Sequence, residues 1–191
     1  MHKQMSGDIN ETRLEKDFDK GDFKPGASLL KISCWYLVDL LIFQSGFVPF
    51  SNILVLVLRL FGAQIGTGVR IKPRIQIKYP WRLTVGDYSW LSYCKIENLD
   101  DVIIGNHVCI SQGALILTGN HDYGKVTFNL FTKPVIIKNG VWICANSTLC
   151  PGMIAYEHAV LCVGSVATKK LEPYGIYQGN PAKMIGVRNI I

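Results

Sequence analysis

Two regimes of hydrophobic patterning divide the chain. From Ile65 onward, aliphatic residues recur every six positions. Ile65, Ile71, Ile77 and Leu83 form the first run, followed by Val85 and Leu91, Ile96 and Val102, and Ile104, Ile110 and Ile116. The spacing returns as Ile137, Ile143 and Leu149, and again as Ile154, Val160 and Val166. A second small or aliphatic residue stands four positions after many of these anchors, at Val69, Ile75, Ser89, Val108, Ala114, Val141 and Ser147. A period of six matches neither the 3.6 of a helix nor the simple alternation of a half-buried strand. It suits a short flat strand followed by a tight corner, and three such units close a triangular coil. Coils stacked about 4.8 Å apart through parallel hydrogen bonds would place each anchor over the one 18 residues earlier. Glycines at Ile65-Gly66, Val85-Gly86 and Ile104-Gly105 free the corners from a Cβ. Between Ile116 and Ile137 lie 21 residues, three more than a full coil, so Leu117 to Ile136 is expected to leave the prism as a loop that can wall a cleft.

Before Ile65 the period is absent. Met1 to Lys24 is polar and heavily charged, whereas Leu40 to Leu58 holds 19 consecutive residues without a charge. That is close to a membrane-spanning length. Gln44, Ser45, Gly46, Pro49, Ser51 and Asn52 break the run, and a proline-containing polar centre would expose backbone groups to lipid. Two short amphipathic helices are predicted instead, Ser28 to Phe43 and Asn52 to Phe61, packed on the prism with an apolar face that can touch a membrane surface. The domains read as an arm with helices over 1–62, the prism over 63–171 and a short tail over 172–191.

Composition narrows this picture little. Hydrophobic residues at 49% against 18% charged exclude a disordered chain. The net charge of +6 fits a phosphate-bearing small molecule, an anionic membrane or nucleic acid equally well. The six cysteines form no C-x-x-C pair, which argues against a zinc ribbon or a thioredoxin-like site, and they read as small buried residues. With no secretory signal at the start, a reducing cytoplasmic location without disulfides is expected.

The hexads resemble those of the hexapeptide-repeat acyltransferases, and the resemblance implies an all-β, left-handed parallel β-helix, against the usual right-handed crossover. It narrows to the O-acetyltransferases of colanic-acid and related exopolysaccharide biosynthesis, the WcaF-like group. Leu58-Arg-Leu-Phe-Gly-Ala-Gln-Ile65, Lys78-Tyr-Pro-Trp-Arg-Leu83, Gly86-Asp-Tyr-Ser-Trp90, Thr118-Gly-Asn-His-Asp-Tyr123, Val141-Trp-Ile143 and Gly179-Asn-Pro-Ala-Lys183 all look like that group in order and spacing. Cys144, Cys162-Val163-Gly164-Ser165 and the bulky corner after Ile154, Ala155-Tyr156-Glu157-His158, depart from it.

The chemistry so implied moves an acetyl group from acetyl-coenzyme A to a sugar hydroxyl, which requires a base to take the hydroxyl proton. A neutral imidazole suits that role near pH 7, and His121 on the loop is the candidate. By resemblance it matches the catalytic histidine of galactoside and maltose acetyltransferases. Asp122 either orients the imidazole or caps the loop through its own backbone. Asn98 resembles a position that bonds the acceptor sugar and reads equally as a turn asparagine. Trp142 resembles the residue lining the pantetheine arm, or else a core tryptophan. Ala145 and Val163 match backbone positions of the coenzyme groove, and Thr168, Lys169 and Lys183 match its phosphate and adenine end, the lysines reading otherwise as solvated surface. His2, His107 and His158 read as structural, and the 14 residues separating His107 and His121 do not resemble a zinc site. A homotrimer with a shared site is expected and no nucleic acid. N-acylation of an amino sugar and a non-catalytic scaffold are the alternatives.

Overall fold

The structure is a computed structural model that describes residues 11–14 and 19–191. His2 lies outside the described residues. Short strands wind into a left-handed parallel β-helix with three faces. The first face stacks Ile65, Val85, Ile104, Ile137 and Ala155; the second Ile71, Leu91, Ile110, Ile143, Leu161 and Tyr177; the third Ile77, Ile96, Ile116, Leu149 and Ala167. Every one of these side chains is buried, and so are Val69, Ile75, Ser89, Val108, Ala114, Val141 and Ser147. The core is therefore a column of aliphatic residues, each fully buried one contributing roughly 1.5–3 kcal/mol relative to exposure.

The register corrects the hexad reading at its end. Ala155, Leu161 and Ala167 face inward in the last coil, one residue later than the Ile154, Val160 and Val166 run. Ile154 and Val166 are only half-buried. Aliphatic residues occupy both phases there, so hydropathy alone could not choose between them. The strict step of 18 residues holds only into the last coil, from Ile137 to Ala155, Ile143 to Leu161 and Leu149 to Ala167; Ile65 to Val85 takes 20 and Val85 to Ile104 takes 19. The surplus sits in corners, such as the turn Pro80–Arg82.

The corner glycines act by close approach rather than by dihedral freedom. Asp87 Oδ1 accepts from Thr67 N, Asn106 Oδ1 from Asp87 N and Asn139 Oδ1 from Asn106 N, a ladder of side chains each bonded to the coil below. A Cβ at Gly66, Gly86 or Gly105 would lie 2.2–2.4 Å from the ladder oxygen above it. Left-handed backbone follows two residues later in the same corner, where Tyr88, His107, Gly140, His158 and Tyr174 have φ of 55° to 68°. Tyr88 stacks on His107 and His158 on Tyr174, which gives both histidines the structural role expected of them.

The prism's lower rim would leave strand edges unpaired, a liability in any sheet. Helix α1 (Leu29–Val38), a π-helical turn (Asp39–Gln44) and helix α2 (Ser51–Leu60) cover it. Arg59 donates to the Ile65 and Gly66 carbonyls, Ser51 Oγ accepts from Ile71 N, and Trp35 Nε1 donates to Ile77 O, so each face is sealed by one side chain. Leu54 and Leu58 of α2, with Phe43, are fully buried beneath it. Among the described residues no helix is long and apolar enough to cross a membrane. At the other rim Gly175–Gly179 joins the second face and returns as the antiparallel strand Ala182–Val187.

The cysteines are less uniform than their reading. Cys94 and Cys144 are buried, Cys109, Cys150 and Cys162 half-buried and Cys34 exposed, and all are free. Burial pushes the Cys94 thiol up to about 12 and Cys144 up to about 11, with the neighbouring Cys162 and Cys109 adding to the latter, so these two are inert thiols at neutral pH.

Candidate active site

The segment after Ile116 holds no hidden coil. In the two preceding coils the step between the third and first faces takes eight residues, from Ile77 to Val85 and from Ile96 to Ile104, so the 21 residues to Ile137 insert 13 at one corner (21 − 8). They form an antiparallel hairpin, Gly119–His121 against Leu130–Thr132, rooted between Thr118 and Lys133.

His121 lies at the end of the first hairpin strand, opposite Leu130. Its Nδ1 is 2.7 Å from the Phe128 carbonyl, and the Phe128 ring stacks on the imidazole at 4.6 Å with 7° between planes. Phe128 has φ of 51°, the left-handed turn that swings its carbonyl back towards the histidine. A carbonyl can only accept, so Nδ1 carries the proton and Nε2 is the basic nitrogen. Asp122 does not supply this orientation: its Oδ1 accepts from Gly124 N, the loop-capping alternative.

The residues that hold the outer hairpin strand come from far away in sequence. Asp19 O accepts from Leu130 N at 3.0 Å, Asp19 Oδ2 accepts from Asn129 Nδ2 at 2.8 Å, and Arg13 N donates to Val126 O at 2.8 Å. The arm is in turn held by the prism, with Trp81 Nε1 donating to Pro25 O and Arg82 to Lys24 O. Sequence reasoning missed both Asp19 and Phe128, since neither carries a periodic or motif signal.

Asn98 is fully buried, with its Oδ1 accepting from Tyr79 N and its Nδ2 donating to Tyr79 O. Both ends of the amide are engaged, so the structure makes it the turn asparagine. Trp142 is no core residue: it is 44% exposed on the second face, where its Nε1 donates to Ser111 Oγ at 3.1 Å. Three residues on, Ala145 reaches the edge between the second and third faces, and Gly164 N bonds its carbonyl, which places Val163 one coil above it. Val163 is exposed, and a Cβ built on the adjacent Gly164 would meet nothing within 4 Å, so this edge faces open space. Lys183 is exposed on the added strand above the second face, opposite Gln178. Thr168 and Lys169 are exposed at the edge between the third and first faces, which is also the edge from which the hairpin springs.

The named residues thus divide between two edges of one prism. His121, Thr168 and Lys169 belong to one, and Trp142, Ala145 and Val163 to the other or its approach. Five residues of extended chain, about 15 Å, separate Ala145 from the far corner. Among the described residues no group of histidine, cysteine and carboxylate side chains could hold a metal ion.

No protein-family model matches the chain. It is 33% identical over 164 residues, 85% of its own length and 90% of the relative's, to a protein of Escherichia coli (strain K12) named "Putative colanic acid biosynthesis acetyltransferase WcaF". It is 26% identical over 128 residues to the galactoside O-acetyltransferase of the same organism, 64% of this chain and 63% of that one. Among solved structures, a hexapeptide-repeat acetyltransferase of Vibrio cholerae complexed with acetyl-coenzyme A superposes with a TM-score of 0.76 at 19% identity, covering 85% of this chain and 91% of that one. Galactoside acetyltransferase in complex with coenzyme A gives 0.72 at 20%, covering 84% and 82%.

Proposed function

The chain belongs to the WcaF-like family of hexapeptide-repeat acetyltransferases, and from that membership we propose that it transfers the acetyl group of acetyl-coenzyme A to a sugar hydroxyl in exopolysaccharide biosynthesis, with His121 as general base. The observation that carries the mechanism is the Nδ1 to Phe128 carbonyl bond, which commits one imidazole nitrogen and leaves proton abstraction to Nε2. As the sugar oxygen attacks the thioester carbon, its proton passes to Nε2. The tetrahedral oxyanion meets a backbone N–H, that of Ala145 by the family pattern, and the carbon–sulfur bond then breaks with the imidazolium returning the proton to the departing thiolate.

The two-edge arrangement supports a site shared between copies. A homotrimer in which the hairpin edge of one prism faces the Ala145–Val163 edge of the next would unite the base with the groove. The donor's apolar arm would lie along Trp142, Ala145 and Val163, while Lys183, Thr168 and Lys169 meet the phosphate and adenine end. Tyr123 at the hairpin tip is 90% exposed, as a side chain reaching a neighbouring copy would be in one isolated chain.

The reading is tested by coenzyme A release from acetyl-coenzyme A with purified sugars and sugar nucleotides, followed by mass spectrometry of surface glycan from cells lacking the protein. Acetyl ester on a hydroxyl and a loss of 42 Da units from the glycan are expected. Label found on an amino group, or coenzyme A binding without turnover on any acceptor, would overturn it.

A further inference from the structure

The helical cap is apolar on both sides. Helix α1 packs Trp35 inward while Leu37 and Leu41, in α1 and the turn after it, stand 57% and 67% exposed. A surface helix of a globular protein ordinarily turns a polar face outward. The loop between the helices continues the pattern: Phe47 is 88% and Phe50 66% exposed, and Leu56 and Leu60 of α2 follow at 56% and 74%. Aromatic and aliphatic side chains at such exposure, continuous over two helices and a loop, exceed the scattered hydrophobics of a normal surface.

Cations dominate the charge on and around this face. Between Pro25 and Gly62 the sequence has a single carboxylate, Asp39, and it is half-buried against Gln44. The cations there, Lys31 and Arg59, are joined by three exposed side chains of the first coil, Arg70, Lys72 and Arg74. These border the protruding loop: Arg74 lies against Gly46, and Arg70 and Lys72 line a cleft with Pro49. An apolar tip flanked by cations and free of exposed carboxylates complements an interface where anionic headgroups lie over acyl chains.

We propose that the cap docks on an anionic lipid bilayer surface, with Phe47 and Phe50 entering the headgroup boundary and Arg70, Lys72 and Arg74 pairing with lipid phosphates. The inference is independent of the catalytic reading, since none of these residues belongs to the proposed acetyl-transfer site. Docking would hold the enzyme beside membrane-bound acceptors.

The test is sedimentation of the full chain with vesicles of phosphatidylcholine alone or mixed with phosphatidylglycerol. Binding to the mixed vesicles, weak binding to the neutral ones and weakening by salt are expected. Phe47→Ser with Phe50→Ser should abolish binding, and because both rings are exposed the melting temperature should hold. Arg70→Gln with Lys72→Gln should weaken binding about thirtyfold, two surface cations being removed. Absence of binding to mixed vesicles, equal binding by wild type and variants, or vesicle-free self-association lost in the Phe47→Ser, Phe50→Ser variant would each overturn the proposal, the last showing a second copy as the occupant.

Discussion

An imidazole serves as a directional base only when one nitrogen is committed elsewhere, and the Phe128 carbonyl does that for His121. His121→Ala should therefore lower kcat by about 10²–10⁴, the usual range for a general base, while the melting temperature stays near wild type because the hairpin stands outside the aliphatic column. Steady-state transfer with thermal melts checks it, and a variant keeping more than a tenth of wild-type kcat would remove His121 from the role. Asp39 carries the opposite lesson about a buried group. Burial raises its carboxyl above the ordinary range against the lowering influence of Gln44, and its Oδ1 is buried without a hydrogen-bond partner. A pKa raised by folding stabilises the fold below the unfolded value, and that stability is lost as pH rises through the folded value. Asp39→Asn should thus melt higher than wild type at pH 7, with the gain vanishing below about pH 3.9, where the unfolded carboxyl is itself protonated. An equal gain at both pH values would assign the effect to packing. Sequence placed His121 on the correct loop but could not separate the two roles open to Asp122 or Asn98. Those choices depend on which backbone groups lie within reach, Gly124 N in one case and Tyr79 in the other.

Elements in this fold are too short to be stable alone, so their neighbours define them. The hexad period exposed the prism because a two-residue strand repeated at a fixed spacing leaves a signal that one strand does not. It lost the last coil, where Ile154-Ala155 and Val166-Ala167 put an apolar residue in both phases and the larger one faces outward. It also left the hairpin's support invisible, since Asp19 reaches Asn129 across 110 residues. Two variants probe these elements. Gly86→Ala would force a Cβ to within 2.2 Å of Asn106 Oδ1 and 2.6 Å of the Gly105 carbonyl carbon, so a loss of about 1–3 kcal/mol is expected. Adding Asn106→Ala should recover only part of it, because the backbone contact remains; additive losses in denaturant melts would refute the ladder account. Asp19→Ala removes the carboxylate bond to Asn129, loosens the outer hairpin strand and should lower kcat without moving the melt of the prism. Its pH profile should keep the wild-type form, as the base itself is untouched. Unchanged kcat would show that the arm does not position His121.

At the scale of the whole molecule, the decisive fact is that one prism cannot bring its own candidate residues together. The hairpin leaves the edge between the third and first faces, while Ala145 and Val163 occupy the edge between the second and third. A monomer would leave the base about 15 Å of chain from the groove, whereas a ring of copies joins unlike edges by a heterologous contact that closes. Light scattering should accordingly give three times the mass of one chain. Complementation then tests whether the site is shared. His121→Ala removes the base from one edge; Val163→Trp fills the other, and the exposure of Val163 lets the fold accept the larger side chain. Each variant alone should be nearly inactive. Co-expressed in equal amounts, they should form mixed rings in which an intact hairpin edge from one chain meets an intact groove edge from its neighbour at about a quarter of the interfaces, ½ × ½ by random assembly. Activity recovering to about a quarter of wild type would follow from a shared site. A mixture no more active than its components would mean that base and groove must come from the same chain, and the division of the prism into two half-sites would be wrong.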